Sequence, residues 1–583
     1  MNRELRASAT AYIRASVAVA FGLSALSLTL AASASAAVPT WLAPLDLSAP
    51  GQDASRPKVT IDQQGNSTAV WERFDGSNWI IQSAGRPLGG DWSEPVDLSV
   101  AGQDAELPQV AVDSKGNATA SWERFDGSNW IIQSAERPAG GSWSEPVDLS
   151  DAGQDAVSSK VAVDSQGKST AVWRRFDGST WIIQSAERPA GGVWSEPVDL
   201  SAAGEDAKFA GVAVDSHGNV TAVWHRNDGT YSIIQSAKRP AGGDWSEPVD
   251  VSKGSQKAAS PQVAVDPQGN ATAVWERYDA GPFIVQSAER PAGADWSEPV
   301  DVSAAGNNAF NIKVAVDQQG NATAVWERFD GSNWIIQSAG RPAGGDWSEP
   351  VDVSAAGEDA EWPSVTVDSP SNATVIWRRF NGSNWIIQSA ERMVGGAWSE
   401  PVDVSATGED ASIPQAAVDS EGNAMAVWRR FDGSNWIIQG AERVAGDTDT
   451  LALPSIASEP TPQSPRRTIT FAARIARVVR GRALLRMYCH GEKRCQGIVK
   501  LNAPAGKRWV NKRNSRRAKH VLIGKARFSI PPDRKRVIRV RMNHKGAALL
   551  SDANRHQLKV KLQGRGVNRR WVILRQVGHI AGG

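Results

Sequence analysis

The chain alternates short apolar runs with clusters of Gly, Asn, Asp and Ser. One block reads PQVAVD, SKGN, ATASWERF, DGSN, WIIQSAERP, AGGS, WSEPVDLS, which is four strand-like runs separated by hairpin turn chemistry. In its first run Val110 and Val112 point one way and Ala111 the other, the period of an extended strand, and the small alanine suits a crowded innermost strand. Ile131 and Ile132 are adjacent rather than alternating with polar residues, which predicts a strand covered on both faces by neighbouring sheets.

The block recurs. Trp71, Trp122, Trp173, Trp224, Trp275, Trp326, Trp377 and Trp428 follow one another at intervals of 51 residues, and so do Trp41, Trp92, Trp143, Trp194, Trp245, Trp296, Trp347 and Trp398. A third series, Trp79, Trp130, Trp181, Trp334, Trp385 and Trp436, is interrupted by Ser232 and Phe283. Eight copies of a four-stranded meander at a fixed period predict radial repetition, an all-β eight-bladed β-propeller. The ends of the array are informative. After Val444 the fourth strand is missing, and a matching segment, WLAPLDLS, stands at 41–48, in register with WSEPVDLS of the next unit. The N-terminal strand is therefore expected to complete the last blade and close the ring, which removes two exposed sheet edges.

The motifs AVWxRFDG, IIQSAxRPAGG and WSEPVDLS resemble those of secreted bacterial β-propeller repeat proteins of the sialidase-like and lectin-like type, over residues 41–448. The resemblance implies a propeller blade and leaves the ligand open. Asp75, Gly76 and Trp79 approach the Asp-box of sialidases, with the glycine one position early, and no repeat ends in Trp-Asp.

Charge divides the chain. From Arg466 to Gly583 there are 32 Lys and Arg against Glu492, Asp533 and Asp552, a net of plus 29, while the whole chain carries plus 1. The two parts favour partners of opposite sign. The N-terminus carries Arg3, Arg6 and Arg14, then an apolar stretch from Ala15 to Ala32 and the small-residue run ASASAA before Val38, the pattern of a cleaved secretion signal. The resulting organisation is a signal peptide at 1–37, the propeller at 38–446, a Pro/Ser/Thr linker at 447–467 and a basic C-terminal β-sandwich domain at 468–578 with seven strand candidates. A secreted or cell-surface location and a monomer follow from this reading. Cys489 and Cys495, separated by five residues across an apparent hairpin, are expected to form a disulfide contributing about 2 kcal/mol. A metal site using His490 lacks a fourth ligand.

Most charged residues recur in every unit, as Asp62, Arg73, Arg86 and Asp97 do together with the polar Gln82, and this points to structural pairing rather than chemistry. The fourth unit departs from the pattern at His217, His225, Asn227, Tyr231, Lys253 and Lys257, without a set of metal ligands, and no cofactor motif is present. No catalytic residue and no cofactor is assigned. The most variable column reads Arg56, Leu107, Ser158, Phe209, Ser260, Asn311, Trp362 and Ile413. It is expected just before the innermost strand, on the face bearing the DGSN turns, around the central channel. Leu107, Phe209, Phe310, Trp362, Ile413 and Tyr231 are the candidate binding residues, with exposed aromatics as platforms for a sugar or a protein anchor. In the tail, Lys507, Arg508, Lys512, Arg513, Arg516, Arg517 and Lys519 form a basic loop suited to an anionic envelope polymer, lipid head groups or the acidic propeller, and no specific nucleic-acid motif accompanies it.

The functional expectation is a non-enzymatic extracellular or cell-surface binding protein, its propeller face recognising a glycan or protein and its basic domain holding an anionic envelope surface. The alternatives are a glycoside-active hydrolase or lyase on a sialidase-like propeller, and a structural scaffold.

Overall fold

Eight tryptophans without solvent exposure, Trp71 and its seven equivalents, each sit at the junction between two sheets. The computed structural model describes residues 41–445, apart from 228, 255, 279 and 280, and the strand-forming segments between 468 and 576. The proposed signal and linker segments lie outside the described residues.

The first unit is an eight-bladed β-propeller of four-stranded antiparallel sheets. Blade 1 comprises Ala54–Ile61, Ser67–Phe74, Trp79–Arg86 and Val96–Asp97, and blades 2 to 7 repeat it at 51-residue intervals. Their fourth strands are only two residues long. In blade 8 (Ala411–Val418, Ala424–Phe431, Trp436–Arg443) the outermost partner is Leu45–Asp46, with Leu45 opposite Gly440 and Asp46 opposite Gln439. Gln439 donates to Asp46 Oδ1 at 2.8 Å, the counterpart of the 2.7 Å bond from Gln82 to Asp97 in blade 1.

The core is distributed over the blade junctions. Trp71 packs with Ala54, Ala69 and Ala84 of its own blade, with Met425, Val427 and Ile438 of blade 8, and with Leu47 of the N-terminal segment. Trp122 packs in the same way against Val70, Ile81 and Leu98 of blade 1. Adjacent Ile80 and Ile81 are both buried because each blade face meets another blade. Small inner-strand alanines such as Ala54 and Ala105, fully buried, permit the close approach near the axis.

The recurrent charged residues are structural. Asp62 Oδ1 accepts from the N–H groups of Gln64 and Asn66 at 2.9 and 2.8 Å, closing the first hairpin. Arg124 and Arg175 hold Gln103 and Gln154, and Arg379 holds Glu358, in the connections between blades. Arg137 donates to Thr68 of the preceding blade at 2.6 Å.

The second unit contains eight described strands, in the order Thr468–Phe471, Arg482–His490, Ile475–Val479, Val567–Gln576, Gln557–Gly564, Cys495–Pro504, His520–Ile530, with Lys535–Arg541 also paired to Arg482–His490. Thr468–Phe471 covers only the first half of the run expected over TITFAARI, and a further strand, Ile475–Val479, begins at that run's last residue and runs parallel to Val567–Gln576. Among the described residues the two cysteines do not stand on paired strands. Arg482–His490 and Cys495–Pro504 are not partners, since the first pairs with Lys535–Arg541 and the second with His520–Ile530 and Gln557–Gly564. The side chains of Cys489 and Cys495, and all of 507–519 with its basic residues, lie outside the described residues. Ala483, Leu501, Ile523 and Val540 are fully buried and mark this unit's core.

Candidate binding mouth of the propeller

The variable column lies within the innermost strand, as its third residue in six blades and its fourth in blades 4 and 5, and not before it. In blade 1, Ser55 pairs with Glu72 and Lys58 with Val70, so Arg56 and Pro57 together oppose Trp71. The same one-residue bulge recurs in the other seven blades. A bulge re-aims side chains at the rim of a sheet. Here it places the column residue in the left-handed region, with φ between 48° and 62° at Arg56, Leu107, Ser158, Phe209, Ser260, Asn311, Trp362 and Ile413. Glycine is the residue that adopts this conformation without penalty, yet none of the eight is glycine. A non-glycine residue held there costs about 1–3 kcal/mol, a cost that concentrates where the side chain has a use.

The bulge is held from the neighbouring blade. Glu72 Oε1 accepts from the N–H of Leu107 at 2.6 Å, Glu123 from Ser158 at 2.6 Å, Glu276 from Asn311 at 2.9 Å and Glu327 from Trp362 at 2.5 Å. At the other four junctions the position of Glu72 is taken by Arg174, His225, Arg378 and Arg429. Arg378 and Arg429 donate instead to Ser412 and Ser55, both at 3.3 Å. This Glu/Arg/His column is the x of AVWxRFDG, and sequence reasoning passed over it. Its signal was a reversal of charge at one fixed position of the repeated motif, but its meaning depends on the next blade.

The column lies on the face of the DGSN turns, as expected. The N–H of Trp79, at the end of the first such turn, donates to Asp104, which precedes the inner strand of blade 2, at 2.8 Å. Rings gather there. Phe209 is 55% exposed and lies parallel to His225, centroids 6.0 Å apart. Burial holds the His225 imidazole below its usual pKa, with Lys208 adding to the effect, so the ring is neutral at neutral pH. The Arg378 guanidinium lies 3.6 Å from the Trp362 ring and 4.0 Å from Trp385. Phe310 precedes the column residue Asn311. It is half-buried rather than exposed, at 4.8 Å from Phe283 and 5.7 Å from Trp334. Leu107 and Ile413 are also half-buried, and Tyr231 is 37% exposed in the turn before Ser232–Arg239. His217 and His225 are not brought together: His217 lies in the first hairpin turn, whereas His225 is on the following strand opposite Lys208.

Between blades 8, 1 and 2 the mouth opens into a cleft of about 310 Å³ lined by Asp53, Arg56, Glu72, Trp79, Glu106, Arg429 and Trp436. Arg56 bridges Glu72 at 2.9 Å and Glu106 at 2.8 Å. Burial raises the Glu72 carboxyl, and it pushes Glu123 up to about 7. The cleft thus joins flat aromatic faces to both signs of charge, a chemistry that stacks on and hydrogen-bonds to a polar ring.

No protein-family model matches the chain, and no curated protein matches it. Among solved structures it is similar to a protein of unknown function from Dyadobacter fermentans, at 10% identity and a TM-score of 0.35, over 69% of this chain and 98% of that one. It is also similar to an ulvan lyase, a polysaccharide lyase, at 12% identity and a TM-score of 0.43, over 62% and 97% of the two chains. A sialidase from Streptococcus pneumoniae matches at 10% identity and a TM-score of 0.33, over 66% and 84%.

Proposed function

We propose that this is an exported, non-enzymatic binding protein whose bulge-lined mouth recognises a glycan, with the ring fastened by its N-terminal strand. The observation that carries the reading is the column of strained, non-glycine and largely non-identical residues at the mouth, constant in backbone and variable in side chain from blade to blade. Constant geometry with variable side chains is the arrangement of a recognition surface on a rigid scaffold. The Phe209–His225 and Trp362–Arg378–Trp385 groups offer apolar ring faces flanked by donors and acceptors, which suits a sugar's C–H face and hydroxyl edge. The basic second unit holds an anionic envelope surface in this reading, its charge drawing it to polymers of opposite sign.

The test is the full chain on a panel of neutral and acidic glycans, beside Phe209→Ala and Trp362→Ala. Saturable binding by the wild type, weakened in both variants and without product, supports the reading. Absence of binding across the panel overturns it.

A second reading, a glycoside-active enzyme, is favoured by one arrangement: Glu123, raised to about 7, is protonated over a useful fraction of molecules at neutral pH, and Glu72 and Glu106 share Arg56 nearby. New reducing ends or unsaturated products in the same assay, lost in Glu123→Gln, would select it.

A further inference from the structure

Two residues beyond the bulge column, the inner strands of blades 1, 3 and 6 present Lys58, Lys160 and Lys313. The other five blades place Gln109, Gln262, Gln415, Ser364 and Gly211 at this level, so the ring contains no acid. Lys58 is repelled by both Lys160 and Lys313, and Lys160 by Lys313. Blades 1 and 6 are not neighbours, so charges that act on each other between them face one another over the channel.

None of the three lysines forms an ion pair among the described residues. The Lys58 ammonium donates to Gln415 Oε1 at 3.1 Å and the Lys313 ammonium to the carbonyl of Ile312 at 3.2 Å. Each ammonium has three donors, so most find no protein partner among the described residues. Glu123, Glu276 and Glu327 attract these lysines from a distance, but each has an oxygen bound to a bulge N–H, of Ser158, Asn311 and Trp362 respectively. The three side chains are half-buried and packed about by protein, and this burial, with the mutual repulsion, holds Lys58 down to about 7 and Lys160 to about 8. Three lysines on one level of a rigid ring, without a counter-charge there, become charged together only at a cost that a bound anion offsets.

We propose that the waist of the channel is an oxyanion site in which Lys58, Lys160 and Lys313 jointly hold one sulfate or phosphate group, free or carried as an ester. A tetrahedral dianion supplies two negative charges and acceptors on several sides, matching compact ammonium charges that approach from different blades. Because the lysines stand on inner strands, the ring fixes their backbones before binding and only their side chains remain to be ordered. The inference goes beyond glycan recognition, since inorganic sulfate seated on these lysines needs no sugar.

The experiment is calorimetric titration of the full chain with sodium sulfate and sodium phosphate near pH 7.5, in two buffers of different ionisation enthalpy. The expected result is saturable one-to-one binding with proton uptake, weakened about 10-fold or more in Lys160→Gln and in Lys58→Gln/Lys313→Gln, and retained in Lys160→Arg. Should a glutamine variant fail to fold, the wild type's thermal midpoint in sulfate against chloride at equal ionic strength, compared with that of Lys160→Arg, gives the second readout: both should rise with a hyperbolic dependence on sulfate. A sulfated oligosaccharide that binds more tightly than inorganic sulfate, by an amount lost in Trp362→Ala, identifies an ester carried on a glycan; equal affinity identifies the free anion. Lack of saturable uptake by the wild type, or unchanged uptake in the glutamine variants, overturns the site. Neutral-glycan binding without sulfate binding overturns this inference alone and leaves the proposed function standing.

Discussion

The backbone N–H of Leu107, held at a φ of 54°, donates to Oε1 of Glu72 at 2.6 Å across the junction of blades 1 and 2. A strained residue of one blade is thus fixed by a carboxylate of the preceding one. The bond couples two properties that are usually separate, the packing of the ring and the shape of its mouth. Each junction of this kind buries a carboxylate, and burial is acceptable only while the N–H is there to bind it.

Relief of the strain is the most direct check. Ser158→Gly keeps the N–H that Glu123 binds and removes the side chain that disfavours a φ of 62°, so it should stabilise the propeller by about 0.5–1 kcal/mol in denaturant unfolding. A loss of stability would show that the bulge is not strained.

The Trp362–Arg378 contact, at 3.6 Å, should be energetically coupled. In a double-mutant cycle with Trp362→Leu and Arg378→Gln, read by chemical denaturation, an interaction of about 0.5–2 kcal/mol is expected. Additive effects would reduce the pair to coincident neighbours.

Leu47 lies in the N-terminal segment, 4% exposed, in the cluster that contains Trp71, Met425 and Ile438. Its equivalent in blade 1 is Leu98, also 4% exposed, packed with Trp122. Leu47→Ala should therefore cost about 2–4 kcal/mol, close to Leu98→Ala, although Leu47 precedes the whole array in the chain. If Leu47→Ala is neutral while Leu98→Ala is costly, the N-terminal strand does not fasten the ring.

Stability should pass through a minimum near neutral pH. Burial raises Glu123 from an ordinary 4.5 to about 7, so the folded state binds the extra proton between these values and stability falls as pH rises through them. Lys58 and Lys160 behave oppositely: they are lowered from 10.5 to about 7 and about 8 by burial and by each other and Lys313, the unfolded chain binds more protons above these values, and stability rises from there towards pH 10.5. Thermal midpoints recorded from pH 5 to 9 at constant ionic strength in a chloride buffer test this. A profile with its maximum at pH 7 would contradict the enclosure of both groups, and Lys58→Gln with Lys160→Gln should flatten the alkaline limb.

Attraction of the basic second unit to anionic surfaces should fall steeply with salt, since the net charge of plus 29 on residues 466–583 acts through screened electrostatics. Retention of the full chain on anionic vesicles or wall polymer at 1 M salt as strongly as at 0.1 M would exclude this mode of holding.

Blade number and strand order were legible in the sequence because the relations they involve recur with every 51-residue unit, whereas the burial of Trp71 is decided between blades, where it meets Met425, Val427 and Ile438. Register with Trp92 even marked the WLAPLDLS segment as a fourth strand. The second unit was less legible: no turn residue separates TITFAARI from the strand Ile475–Val479 that begins at its last residue, and the partners of Arg482–His490 are set by long-range pairing. At the mouth the sequence located the variable column but not the left-handed backbone beneath it, because the residues there are not the glycines that announce a positive φ. The Glu72 column and the three lysines belong to the tertiary structure entirely. Glu72 matters because the next blade presents Leu107 to it, and Lys58, Lys160 and Lys313 form a group only once the ring has curved far enough to turn distant strands towards one axis.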